Sequence, residues 1–270
     1  MRAWILSDIH HSPVGGLFGT PIKVPDADVC ICAGDVSDDI TTSIHYLRRH
    51  IEPKMPIVLV LGNHDYFGSS ISFALGRVRA ETNGTRIHFL EDQAVELFGC
   101  RFIGSTLWTD FSISVGDDEH VPPEERRNLA FGLVPPYIAD FHCIFRSDER
   151  RPNENGMVTV HEILSRHRAS RSFIERELEK NFEGPTAVIT HHAPHIRSLD
   201  PRFFGQITSA AFASDLADLI RRRSPRLWVH GHIHLFRDYL EHRTRIICNP
   251  HGYQGERGFS GFRQSFVIEL

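Results

Sequence analysis

Short apolar runs that stop abruptly at polar residues recur along this chain. Residues 57–61 (I-V-L-V-L) are five consecutive apolar positions, three of them β-branched. Such a run is too short for a helix and suits a strand buried on both faces. It ends at Gly62, and Asn63, His64 and Asp65 follow. Residues 3–7 predict a first strand ending in Asp8-Ile9-His10, and residues 28–33 a second ending in Gly34-Asp35-Val36-Ser37-Asp38-Asp39. Residues 186–190 and 226–229 predict two more, which run into His191-His192 and His230-Gly231-His232-Ile233-His234. Open α/β sheets bind ligands beyond the carboxyl ends of their strands. Five such ends, each closing in His, Asp or Asn, therefore describe one candidate site.

Helices are predicted between these strands. One starts near Asp38 or Asp39, either of which can serve as its N-cap, and runs through His50; a second covers 70–79. Thr159-Val160-His161-Glu162 matches a capping box ahead of helical spacing through Leu178, and Gly184-Pro185 closes that helix. Residues 210–223 read as a further helix. Residues 86–90, 94–97 and 101–104 read as short strands, and 236–241, 244–248 and 264–268 as antiparallel ones. The Gly- and Pro-rich stretch 11–25 is expected to be a loop. Residues 109–158, with Pro122-Pro123, Pro135-Pro136 and clustered charges, are expected to form an irregular lid or cap inserted into one domain spanning 1–270. The turn Asn249-Pro250-His251-Gly252-Tyr253 is expected to face the same site.

Composition narrows the function classes. Thirty basic and 34 acidic residues give a net charge of −4, which supplies no overall field for holding nucleic acid. No apolar stretch reaches membrane-spanning length, and the start of the chain lacks a signal-peptide core. Five cysteines without a Cys-x-x-Cys pair are expected to be reduced, inert thiols in a cytoplasmic protein. The 18 histidines change the picture most, because imidazole is both the commonest transition-metal ligand and the usual proton carrier near neutral pH.

In an extended segment, residues i and i+2 point the same way, so Asp8 and His10 form half of a metal site. Asp35 emerges at the second strand end. His191 and His192 compete for one role; His191, first past its strand, is favoured. Arg197, Arg202 and Asp140 are candidate substrate contacts, with ordinary surface charge the plainer expectation for each. His230 is expected only to end its strand.

In order, the chain carries D-x-H (Asp8, His10), G-D-x-x-D (Gly34, Asp35, Asp38), G-N-H-D (Gly62 to Asp65), H (His191) and G-H-x-H (Gly231 to His234). This series resembles the calcineurin-like metallophosphoesterase superfamily. The resemblance implies an α/β fold, a four-layer αββα sandwich, and a centre of two transition-metal ions drawn from manganese, iron, zinc and cobalt. Asp8, His10 and His234 would hold one ion, Asn63, His191 and His232 the other, and Asp35 would bridge them, with a shared hydroxide as the attacking group. His64 would bind the phosphoryl oxygen or protonate the leaving group, oriented by Asp38. Because the chain lacks an obvious nucleic-acid module, the expected substrate is a small or nucleotide-like phosphodiester, with phosphomonoesters or nucleic acid as alternatives. A non-catalytic protein-binding scaffold on the same fold is the rival from another class. Relatives often carry N-P-R-G-Y where this chain has His251 in place of the arginine, so a phosphate clamp at that turn is not expected.

Overall fold

The computed structural model describes residues 1–12, 22–147 and 156–270. Most of the predicted loop 11–25 and residues 148–155 of the predicted insertion lie outside them. The elements are β1 (Arg2–Leu6), β2 (Val29–Cys32), α1 (Ile40–His50), β3 (Ile57–Leu59), α2 (Ile71–Thr82), β4 (Ile87–Phe89), β5 (Gln93–Leu97) and β6 (Cys100–Ser105). They continue with α3 (Pro123–Leu133), α4 (Asp140–Cys143), α5 (Val160–Glu179), β7 (Thr186–Thr190), α6 (Ala217–Arg223), β8 (Leu227–His230), β9 (Arg237–Glu241), β10 (Thr244–Cys248) and β11 (Val267–Glu269).

Two sheets form, ordered β11-β1-β2-β3-β4 and β5-β6-β7-β8-β10-β9. Side-chain alternation decides how they stack. Ala3, Ile5, Val29, Ile31, Val58 and Val60 face Phe102, Ala187, Ile189 and Val229 across the gap between the sheets. The intervening residues Trp4, Leu6, Cys30, Cys32 and Leu59 turn the other way, onto Ile44 and Leu47 of α1 and Ala74 and Val78 of α2. Val188, Trp228 and Ile246 pack against Ile174 of α5 and Leu219 and Ile220 of α6. The result is the expected αββα sandwich. Because both faces of each sheet are buried, the inner strands can be apolar throughout, and β1, β2 and β3 in one sheet and β7 and β8 in the other pair in parallel, so that their carboxyl ends share one edge; β11 joins β1 antiparallel.

Two predicted elements differ. Residues 210–223 are not one helix: a 3-10 turn covers Ile207–Ala211, and α6 starts only at Ala217. The segment between is held extended against the chain after β7, with Ala193 N–H donating to Phe212 O at 3.1 Å and Ser214 N–H to Ala193 O at 3.0 Å. Those bonds outcompete the helical ones the local spacing would allow. Within 109–158, Pro123–Leu133 forms a helix, with Pro123 where a missing N–H costs nothing and Glu124 and Glu125 in the first turn. Phe111, Val134, Phe141 and Ile144 from this region, with Trp108 just before it, join the α1/α2 side of the core.

Candidate metal centre

The strand-end loops converge at unusual backbone angles. Asp8, His10, Asp35, His232 and His234 all have positive φ, between 44° and 69°. A left-handed non-glycine residue costs on the order of 1 kcal/mol or more, and five among the seven candidate ligands make the cost collective. The surroundings impose it. Gly62 has no room for a side chain, since a Cβ there would lie 2.0 Å from Asp35 Oδ1 and 2.5 Å from the His191 ring. Gly34, at φ +87°, is equally confined by the backbone of Gly62. Buried Asp65 then ties the loops together, accepting from the N–H groups of Asp35 (2.9 Å) and Gly62 (2.9 Å) and from the Ser43 hydroxyl.

Seven side chains meet in this cradle. Asp35 Oδ2 lies 3.3 Å from His191 Nε2 and 3.7 Å from His10 Nε2. On one side, His10 Nε2 and His234 Nε2 face each other at 2.9 Å, and His234 Nε2 is 3.5 Å from Asp8 Oδ1. On the other, His191 Nε2 is 3.0 Å from Asn63 Oδ1, and one ring nitrogen of His232 comes within 4.8 Å of both Asp35 and His191. Two of these groupings, Asp8–His10–Asp35–His234 and Asp35–His191–His232, have the spacing to hold an ion, and they share Asp35.

Neighbours orient the candidate ligand atoms. His191 Nδ1–H donates to Ala33 O at 2.7 Å, turning Nε2 inward. Asn63 Nδ2–H donates to Asp140 Oδ1 at 2.7 Å, leaving Oδ1 to face His191. His234 Nδ1–H donates to Glu256 Oε2 at 2.7 Å. The electrostatics couple the carboxylates and imidazoles of the cluster tightly. Burial pushes His10 down to about 4. The same burial opposes charge on His191, yet Asp35 raises it to about 9, and hydrogen bonds with Asp8 and Glu256 likewise overcome burial to raise His234 to about 10. Burial also works against charge on Asp35, but the facing imidazoles hold it well below the usual carboxylate range.

His64 stands at the mouth. Its Nδ1–H donates to Asp38 Oδ1 at 2.8 Å, and its Nε2 is 2.9 Å from the Tyr253 hydroxyl. Burial opposes its charge, but Asp35 and Asp38 raise its pKa. Asp39, not Asp38, caps α1, which leaves Asp38 to His64. The 249–253 turn docks where expected, with Gly252 N–H donating to Asp8 O at 2.8 Å, and the Tyr253 ring lies 4.1 Å from that of His10.

The remaining candidates separate. His192 turns away from Asp35, its Nδ1 3.3 Å from Thr106 O and its ring 5.2 Å from Trp108, and burial lowers it to about 3. His230 bonds with Ser198 Oγ at 2.8 Å and lies outside the cluster. Arg202 is spent on Asp200, and Arg197 on Glu241 and Leu240 O. Asp140 is no surface charge: it is buried on Asn63, and burial raises it to about 6. Glu256 and Asp65 join the site beyond the residues that the motifs single out; Asp65 lies inside G-N-H-D, whereas no pattern marks Glu256.

Two stacked sheets with carboxylates and imidazoles gathered at their strand ends define the metallophosphoesterase class of fold. The chain belongs to the calcineurin-like phosphoesterase family, whose family model matches residues 1–236. The uncharacterised protein L509 of Acanthamoeba polyphaga mimivirus is 25% identical over 239 residues, 83% of this chain and 78% of that protein. The phosphopantetheinyl hydrolase of Mycobacterium tuberculosis superposes with a TM-score of 0.72 at 18% identity, covering 100% of this chain and 95% of that one; at that identity the similarity speaks for the fold.

Proposed function

We propose that this protein hydrolyses small phosphodiesters at a centre of two divalent transition-metal ions. Asp8, His10 and His234 would hold one ion, Asn63, His191 and His232 the other, and Asp35 both. The observation that carries this reading is Asp35 Oδ2, which is buried without a hydrogen-bond partner between the two groupings. His10 Nδ1 is a second buried, unpartnered atom, and leaving such groups bare costs about 1–3 kcal/mol each. Carboxylate, amide oxygen and imidazole together suit manganese, iron, zinc or cobalt. When bound, such ions supply the Lewis acidity and activated water that in-line displacement at phosphorus requires.

The chain's own groups complete the reaction. Asp38 fixes the proton on His64 Nδ1, so Nε2, whose protonation Asp35 and Asp38 favour, is the atom that gives a proton to the leaving oxygen. The Tyr253 hydroxyl stands where that oxygen would arrive. Two hollows flanking the centre support a diester. One, of about 200 Å³, opens at His10 and Asp38 and is polar. The other, of about 130 Å³, is lined by Leu199, Phe203, Phe212 and Ile233, and the Phe212 ring is 4.5 Å from that of His232. Each can take one arm of the ester, while Asp140 from 109–158 walls the buried side. Among the described residues no helix is long and apolar enough to cross a membrane, and five unpaired thiols support a cytoplasmic setting.

Elemental analysis together with hydrolysis of bis(p-nitrophenyl) phosphate, p-nitrophenyl phosphate and a phosphopantetheinyl ester tests this. The expected result is two ions per chain and preference for a diester. His64→Ala should keep both ions and lose about 10²–10⁴ in kcat. Protein with both ions bound that cleaves none of the esters would be a scaffold instead.

A further inference from the structure

The polar hollow contains a cation that the reaction above does not use. Arg257 lines it beside Tyr46, His251 and Gln254, and its mouth is formed by His10 and Asp38. Among the described residues Arg257 forms no ion pair and no hydrogen bond, whereas the neighbouring carboxylates are committed: Asp38 to His64, and Glu256 to His234 and the Tyr253 N–H. Donors other than the guanidinium also converge. The Tyr46 hydroxyl accepts from the Ile22 N–H at 3.4 Å, which leaves its own hydrogen for a ligand, and the Gln254 amide is exposed at the rim. At about 200 Å³ the hollow has the volume of roughly six or seven waters, room for a phosphoryl or carboxylate group and a few attached atoms. The hollow on the other side of the centre has no cation in its lining, and its charged residue, Asp200, is paired with Arg202.

We propose that the Arg257 hollow is an anion subsite, which binds a second phosphoryl or carboxylate group on one arm of the ester while the scissile phosphorus sits beside Asp35. The preferred substrates are then diesters with a further negative charge on the His10 side, of the nucleoside diphosphate ester kind, and a less charged or apolar group on the Phe212 side. A planar guanidinium suits the role because it can present two parallel N–H donors to one oxyanion group. The proposal rests on the hydrolase reading for its substrate, but the subsite can be read without turnover.

The test compares the manganese-loaded protein with Arg257→Ala and Arg257→Lys on three esters: ADP-ribose, a p-nitrophenyl diester ending in a carboxylate, and bis(p-nitrophenyl) phosphate. Titration calorimetry of ADP into EDTA-treated protein supplies the second readout. For Arg257→Ala, kcat/KM for ADP-ribose should fall at least tenfold further than for bis(p-nitrophenyl) phosphate, through KM, with Arg257→Lys intermediate, and ADP should bind at least tenfold more weakly. A fall confined to ADP-ribose makes the bound group phosphoryl; one shared with the carboxylate diester makes it any small oxyanion. Equal ADP binding, or a parallel fall on all three esters, overturns the subsite. No turnover of any ester by the wild type, together with the tenfold loss of ADP binding, retires the hydrolase reading and leaves the subsite standing.

Discussion

The Asn63–His191–His232 half of the site and the Asp8–His10–His234 half use similar side chains but are supported differently. The first is braced from within the core. His191 leans on Ala33 O, Asn63 on buried Asp140, and the N–H groups of His191 and His192 on Thr106 O at 3.3 Å. Thr106 itself donates from N–H and Oγ1–H to buried Glu91, at 2.8 and 2.9 Å. The second half leans on the surface turn, where Glu256 (side chain 43% exposed) takes the His234 Nδ1–H and the exposed Tyr253 ring covers His10. A buried partner lost cannot be replaced by water, whereas an exposed one can. The outer half should therefore exchange its ion more readily and adapt to substrate, while the inner half keeps its geometry.

The largest effect should come from the residue the halves share. Asp35→Asn keeps the side chain's shape but removes the charge that balances both groups of imidazoles. Activity should fall about a thousandfold or more, equivalent to ~4 kcal/mol in the barrier, and metal content should drop from two ions to one or none. Activity within tenfold of wild type would mean that the halves work independently.

Next in size is the contrast between supports. Asp140→Ala should weaken one of the two ions by about 10–100-fold, the usual cost of removing a group that orients a ligand. Glu256→Ala should weaken the other by less than about tenfold, because water can reach His234 Nδ1. Chelator competition with manganese, resolving two binding steps, measures both. A larger loss for Glu256→Ala would reverse the assignment of rigid and adaptable halves.

The comparison also explains what could be read from the sequence. The strand ends were legible because a buried parallel strand needs an unbroken apolar run and its site residues must follow within a few positions, as Asp8, Asp35 and Asn63 do. The supports were not. Asp140 reaches Asn63 across 77 positions of sequence and sits after a Pro-rich stretch that reads as surface loop. Glu256 belongs to a turn with no periodicity. His191 and His192 have equal ligand chemistry, and only the register of β7 on β6 and β8 decides which of them faces Asp35. The overextended helix at 210–223 has a related cause, since residues 212–216 make their bonds to the distant strap at 193–194.

Glu91 should have the smallest effect on activity, yet it reports on the inner brace. Burial, with the charge of Asp92 adding to it, raises its pKa to about 7, against roughly 4.3 for a glutamate in an unfolded chain. A carboxyl with its folded pKa raised contributes stability that is complete below the unfolded value and is lost as pH rises through the folded one. In metal-free protein, the melting temperature of wild type minus that of Glu91→Gln should therefore fall between about pH 4.3 and 7, by on the order of 5 °C. Taking the difference removes Asp65 and Asp140, whose raised values near 6 act in an overlapping window in both proteins. A difference that rises with pH would place an ionised Glu91 under Thr106 and make the brace a charged one, bound more strongly the further it is from acid.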